Sequence, residues 1–141
     1  MPPSNAHESS AALVLHASRL IRIVRRHSHH IPAASVRLLS LVDQYDSATV
    51  KDLAIADQCS QPTMTGLVNG LVERGWLQRE PNPADARSSL VSLTTDGRRE
   101  LHEARAHNAE LVQGRAALAG VSDSDLALAA SVIARITQVE N

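Results

Sequence analysis

The stretch from Thr49 to Arg99 constrains this chain more than any other. Two short segments with helical patterning come first. Thr49 and Asp52 stand at capping-box spacing, and Leu53 and Ala54 face inward. Ser60 caps the second segment, with Pro62 in its first turn, where a missing N–H costs little. Met64, Leu67, Val68 and Leu71 recur at spacings of three and four, and Gly75 ends the run. A short apolar strand from Trp76 then enters a Pro/Asn turn with Asp85 and Arg87 at its tip. A second strand alternates Leu90 and Ser92 with Val91 and Leu93, and Thr94 caps a new helix. Helix, turn, helix and basic hairpin is the layout of a winged helix-turn-helix module. The fold class expected is mainly α, with a two-stranded β-hairpin wing.

The flanks are helical as well. Periodicity predicts a helix over 8–28, through Leu13, Ala17, Leu20, Ile21 and Val24, after a disordered segment 1–7. The run from His27 to Pro32 breaks it. A second helix over 33–46 buries Val36, Leu38, Leu39, Leu41 and Val42. Beyond the hairpin, a long helix from Thr94 to about Leu118 has a sparse stripe of Leu101, Ala104, Leu111 and Ala117. Ser122 to Asp125 caps a last helix running to about Val139, with a wide apolar face that includes Leu128, Val132, Ile133 and Ile136. The terminal helices carry more apolar surface than a three-helix core covers, and such surplus marks an interface. The 141 residues therefore read as one domain. Its winged core spans 47–99, and 8–46 and 100–141 are mainly dimerisation helices.

Composition narrows the function. No apolar run approaches the ~20 residues of a membrane span. No basic region followed by an apolar stretch marks a signal peptide, and a single cysteine permits no internal disulfide, so the location expected is cytoplasmic. There is no nucleophile, base and acid set, no phosphate-cradling Gly loop and no metal-ligand spacing, so an enzyme is not expected, and no cofactor is implied. The net charge of −1 hides an uneven distribution. Residues 1–42 carry +4, 43–59 carry −3, 60–99 carry +1 and 100–141 carry −3. A chain like this binds random DNA weakly, and specific binding needs a few well-placed arginines in a dimer.

The hairpin residues Asp85 and Arg87, followed by Leu93, Thr94 and Gly97, resemble the wing of the MarR-type transcriptional regulators. Upstream, Leu53-Ala54 with Ser60, Thr63 and Thr65 is similar to the family's Leu-Ala and Ser-x-x-Thr-x-Thr pattern. Leu71, Gly75, Trp76 and Arg79 are similar to its Leu-x-x-x-Gly-Leu-x-x-Arg. The resemblance is specific over 49–99 and loose in the flanking helices. It implies a homodimer held by interlocked N- and C-terminal helices, which places two recognition helices one DNA turn apart, roughly 34 Å. The partner implied is duplex DNA with a pseudo-palindromic operator. The activity implied is transcriptional regulation, with repression relieved by a small-molecule effector as the expected mode.

Within that frame, helix 60–74 enters the major groove. Ser60, Gln61, Thr63 and Thr65 point away from its apolar stripe, and Asn69 and Arg74 lie further along. Gln pairs bidentately with adenine, and Thr methyls suit thymine methyls. Arg87 at the wing tip reaches a minor groove. Asp85 repels phosphate, so the resemblance gives it a bracing role through ion pairs with Arg87 and Arg79. Relatives often carry basic residues at the positions of Gly66 and Gly70, and two helix-interior glycines cost about 1 kcal/mol each relative to Ala. Either the backbone approaches DNA closely there or binding is weaker.

Competing readings attach to particular residues. Cys59 is read as a small core thiol in preference to a redox sensor. His27, His29, His30, His102 and His107 invite a metal-sensor reading but lack tight ligand spacing, so no metal site is assigned. Trp76 packs the hairpin base on the recognition helix. Tyr45 is the only other aromatic, which supplies a stacking pocket poorly. The mild acidity and the two glycines favour one alternative function, a winged-helix protein-interaction module without DNA binding.

Overall fold

The computed structural model describes residues 5–27 and 30–139. Its helices are α1 (Asn5–Arg26), α2 (Ala33–Tyr45), α3 (Val50–Ala56), α4 (Gln61–Glu73), α5 (Thr95–Leu118) and α6 (Asp123–Thr137). Its strands are β1 (Ala48–Thr49), β2 (Leu77–Pro81) and β3 (Ser89–Leu93). The fold is mainly α with a small antiparallel sheet, a winged helix. The chain divides into two compact units, Met1–Ala106 and His107–Asn141.

In the first unit the core is built where the apolar periodicities converge. Leu39 and Val42 of α2, Leu53 of α3, Met64 and Val68 of α4 and Val91 of β3 retain no exposed surface. Leu77, Leu93 and Leu101 complete the cluster. Each such side chain contributes ~1.5–3 kcal/mol through burial. The wing hairpin pairs Leu77 with Leu93 and Arg79 with Val91. The two-stranded wing forms as expected, and a short third strand joins its sheet in the order β1-β3-β2. β1 pairs Ala48 with Val91 and Thr49 with Leu90. Two residues are too few to show strand alternation, and their partners lie more than forty residues away.

Local chemistry sets the helix boundaries. Thr49 ends β1 and caps α3, its Oγ1 accepting from the Asp52 N–H. The turn after α3 passes through Gln58, at φ 54. It is tied to α2 by a bidentate pair in which Arg37 Nε and Nη2 donate to Asp57 at 2.6 and 3.1 Å. Donation to the Asp57 carboxylate raises the pKa of Arg37. Gly75, at φ 75, closes α4 and turns the chain into the wing. The Thr94 hydroxyl donates to the Gly75 carbonyl at 2.6 Å and accepts from the Gly97 N–H at 3.0 Å. A Cβ on Gly97 would collide with the Trp76 carbonyl oxygen, so the Leu-Thr-x-x-Gly pattern lets α5 start against the wing base. Asp43 of α2 accepts from Arg105 at 2.9 Å and pairs with Arg98 at 3.6 Å, which holds the start of α5.

The N-terminal helix begins at Asn5, so residues 5–7 are helical where disorder was expected. Residues 1–4 lie outside the described residues, as do Ser28 and His29 of the expected break. No residue of α1 is buried, and Leu13, Leu20 and Ile21 are exposed.

In the second unit, Gly120 at φ 70 follows α5, and Ala116 is buried while Ala117 is exposed. The apolar position of that helix end is thus one residue earlier than expected. Ser122 and Asp125 form a reciprocal capping box at the start of α6. α6 ends at Thr137, short of Val139, and has no buried residue. Leu128, Val132, Ile133 and Ile136 are exposed.

Candidate nucleic-acid interface

Helix α4 is anchored at its N-terminus. Ser60 Oγ accepts from the Thr63 N–H at 3.2 Å and shares a hydrogen bond with Thr63 Oγ1 at 2.8 Å. Thr65 Oγ1 donates to the Gln61 carbonyl at 2.8 Å. The hydroxyls of Ser60, Thr63 and Thr65 are therefore engaged in shaping the first turn. Thr65 keeps its methyl group and its lone pairs. Gln61 is exposed, and its side-chain amide makes no hydrogen bond to another described residue. Met64, Val68 and Leu71 turn inward, which leaves Asn69 exposed on the opposite side with Gly66 and Gly70 beside it. A Cβ at either glycine meets nothing within 4 Å, so no protein neighbour requires glycine at these positions.

The wing is tied to this helix by a contact that periodicity does not reveal. Arg79 Nη2 donates to Asn69 Oδ1 at 2.7 Å, and Nη1 donates to Ser89 Oγ at 3.2 Å. Arg79 thus joins β2, β3 and α4 instead of pairing with Asp85. Asp85 also acts differently from expectation. Its Oδ1 accepts from the Arg87 backbone N–H at 2.9 Å, and no Asp85–Arg87 ion pair occurs among the described residues. The carboxylate bends the tip backbone, as short acidic side chains do in turns. Asn82 helps from the other side, its Nδ2 donating to Ser88 Oγ at 2.9 Å and its Oδ1 accepting from the Ala84 N–H at 3.0 Å. Every side-chain carboxylate and amide of the tip is committed to holding its shape. The Arg87 side chain is exposed and its guanidinium has no hydrogen-bond or ion-pair partner among the described residues.

Arg74 is less free. Its guanidinium lies 5.1 Å from the centroid of the Trp76 ring, a cation–π stack that leaves only its in-plane N–H groups for a phosphate. Trp76 itself is half-buried against the core. Between α4 and the wing lies an open groove of about 470 Å³, lined by Thr49, Lys51, Gln61, Thr65, Arg79 and Arg87 among others. Lys51 is a groove residue that no sequence pattern indicates, because the wing that makes it one is distant in the chain.

The remaining candidates fall elsewhere. Cys59 is half-buried and packs against the core. No three His, Cys, Asp or Glu side chains come together to hold a metal among the described residues, and His29 lies outside them. No helix among the described residues is long and apolar enough to cross a membrane.

The MarR family model matches residues 31–89. An HTH-type transcriptional regulator of Mycobacterium bovis is 28% identical over 113 residues, covering 80% of this chain and 78% of that one. Among solved structures, a Pseudomonas aeruginosa protein assigned as a transcriptional regulator has a TM-score of 0.78 at 26% identity, covering 99% of this chain and 100% of that one. A mutant of the Escherichia coli MarR protein, complexed with operator DNA, has a TM-score of 0.64 at 19% identity and covers 90% and 91% of the two chains.

Proposed function

The chain belongs to the MarR family of transcriptional regulators and is not an enzyme, and from that premise we propose that it is a homodimeric repressor of promoters carrying a pseudo-palindromic operator. The observation that carries this reading is the pairing of two presented elements on one frame. The capped helix α4 offers an exposed polar side, and the braced tip offers an unpartnered Arg87. α4 enters the major groove, with Gln61, Thr63, Thr65 and Asn69 toward base edges and Ser60 fixing the helix start. Arg87 enters the adjacent minor groove, where narrow A/T tracts concentrate negative potential. Arg74 contributes a phosphate contact from its stacked position. Asp85 and Arg79 hold the wing in place.

Dimerisation is supported by α1 and α6, which bury no residue and expose Leu13, Leu20, Ile21, Leu128, Ile133 and Ile136. Two copies on a two-fold axis bring two reading units to half-sites one turn apart. Repression follows from occupancy of the promoter. A small-molecule effector would relieve it by changing the separation of the two recognition helices, since a dimer whose spacing no longer matches the DNA turn loses one half-site.

The test is selection of bound duplexes from a random DNA pool at moderate salt, using protein of measured oligomeric state. A two-fold symmetric sequence with half-sites one turn apart is expected. Failure of folded dimer to enrich any sequence would instead favour an interaction module.

A further inference from the structure

The contact between Asn69 and Arg79 carries a consequence for base preference, which rests on the DNA-reading role proposed for α4. Arginine has five N–H donors and no acceptor. The amide atom facing Arg79 Nη2 at 2.7 Å is therefore the oxygen, whichever way a side-chain amide is drawn. Asn69 Nδ2 is left as the outward group. A second bond, from Nη1 to Ser89 Oγ, fixes the guanidinium, and its remaining N–H groups stay available beside the amide.

An asparagine reads adenine by accepting from N6 and donating to N7 at the same time. Here the oxygen already accepts from a cation, and the adenine amino group would meet further N–H donors. Guanine presents N7 and O6, which are both acceptors, along the same groove edge. The geometry points to the Asn69–Arg79 pair as a composite donor that selects guanine at one base pair of each half-site. The surroundings suit a short reader. Asn69 is exposed, and Gly66 and Gly70 beside it have no side chain to hold the helix off the groove floor. Gln61, whose amide is not committed to a described residue, keeps the donor and acceptor pair that adenine requires. One helix thus carries two amides with different preferences.

Three variants of the full chain, each first shown to melt like wild type, test this in the same duplex selection followed by competition binding. Wild type is expected to enrich a guanine in each half-site. Asn69→Ala is expected to lower discrimination at that position about tenfold, the scale of a good base contact. Asn69→Asp keeps the acceptor for Arg79 but removes the donor, and guanine preference is expected to disappear although the wing tie remains. Arg79→Ala frees the Asn69 oxygen, and preference at the same position is expected to move toward adenine. Equal weakening on all sequences would make the pair a phosphate contact and overturn the assignment. So would an unchanged preference in all three variants, or a selected operator with no guanine that responds to them. An absence of any enriched sequence in wild type would instead remove the DNA-reading proposal itself, and this inference with it.

Discussion

The winged core and the terminal helices bury their apolar residues very differently. Leu39, Leu53, Met64 and Val91 have no exposed surface, whereas α1 and α6 contain no buried residue at all. Both regions have helical periodicity of similar clarity. The difference teaches that an amphipathic pattern specifies a face, while the partner for that face is a separate matter. In the core, the partners are other elements of the same compact unit. For α1 and α6, the proposed partner is a second copy.

The largest effects that separate the two regions are in the core. Leu53→Ala is expected to lower unfolding free energy by about 2–5 kcal/mol, because the side chain sits among α2, α4 and β3 contacts that cannot all collapse. Denaturant titration with a circular dichroism readout checks it, and a loss below ~1 kcal/mol would show a far looser core than the burial implies. Gly97→Ala follows, at roughly 1–3 kcal/mol, since the new methyl group meets a backbone carbonyl at Trp76 and not the end of a flexible side chain. Ile133→Asp inverts the comparison. Ile133 is 42% exposed, so the fold of one copy is expected to remain, while sedimentation shows a shift from dimer toward monomer. A mutant that unfolds instead, or that stays dimeric, would break the distinction between the two regions.

Arg87→Ala sharpens the same contrast from the functional side. The guanidinium makes no hydrogen bond or ion pair with a described residue, so melting temperature should not move, while operator affinity is expected to fall about tenfold or more. Binding as tight as wild type would show that the wing is not a DNA contact.

The core and helix α4 were readable from sequence because their signals are local. Ser60, Pro62, Thr63 and the Met64–Val68–Leu71 stripe each lie within four residues of the next, and the cap forms as that spacing implies. Gly75 was legible for the same reason, whereas Gly97 was singled out through the resemblance, since its close approach to Trp76 is long-range. What escaped was made by long-range pairing. β1 exists only because β3 lies beside it, and Arg79 finds Asn69 only because the hairpin folds back on α4. Asp85 showed a different limit. The resemblance implied an ion pair with Arg87, but in a tight turn the donor it meets is that residue's backbone N–H. Helix α1 begins at Asn5, inside the segment 1–7 where disorder is expected, and Ser9 and Ser10 donate hydroxyl bonds to the carbonyls of Asn5 and Ala6 in its first turns.

The smallest expected effect lies at the start of α6, where stability depends on local chemistry alone. Asp125 accepts from the Ser122 hydroxyl at 2.6 Å and from its N–H at 3.2 Å, and these bonds hold its carboxyl below the usual range. A carboxyl whose pKa is depressed by folding stabilises the helix above its unfolded value, and the benefit is lost as pH falls through the folded value. Acidification should therefore fray the first turn of α6 at a pH where the buried core, which rests on apolar packing, is unaffected. Ser122→Ala removes the donor that contributes most, so the Asp125 carboxyl should titrate at higher pH and fraying should begin earlier. Side-chain carboxyl resonances followed through an acid titration report both. If Asp125 titrates identically in the two proteins, the capping box does not form in solution, and α6 must owe its start to the surface that covers it.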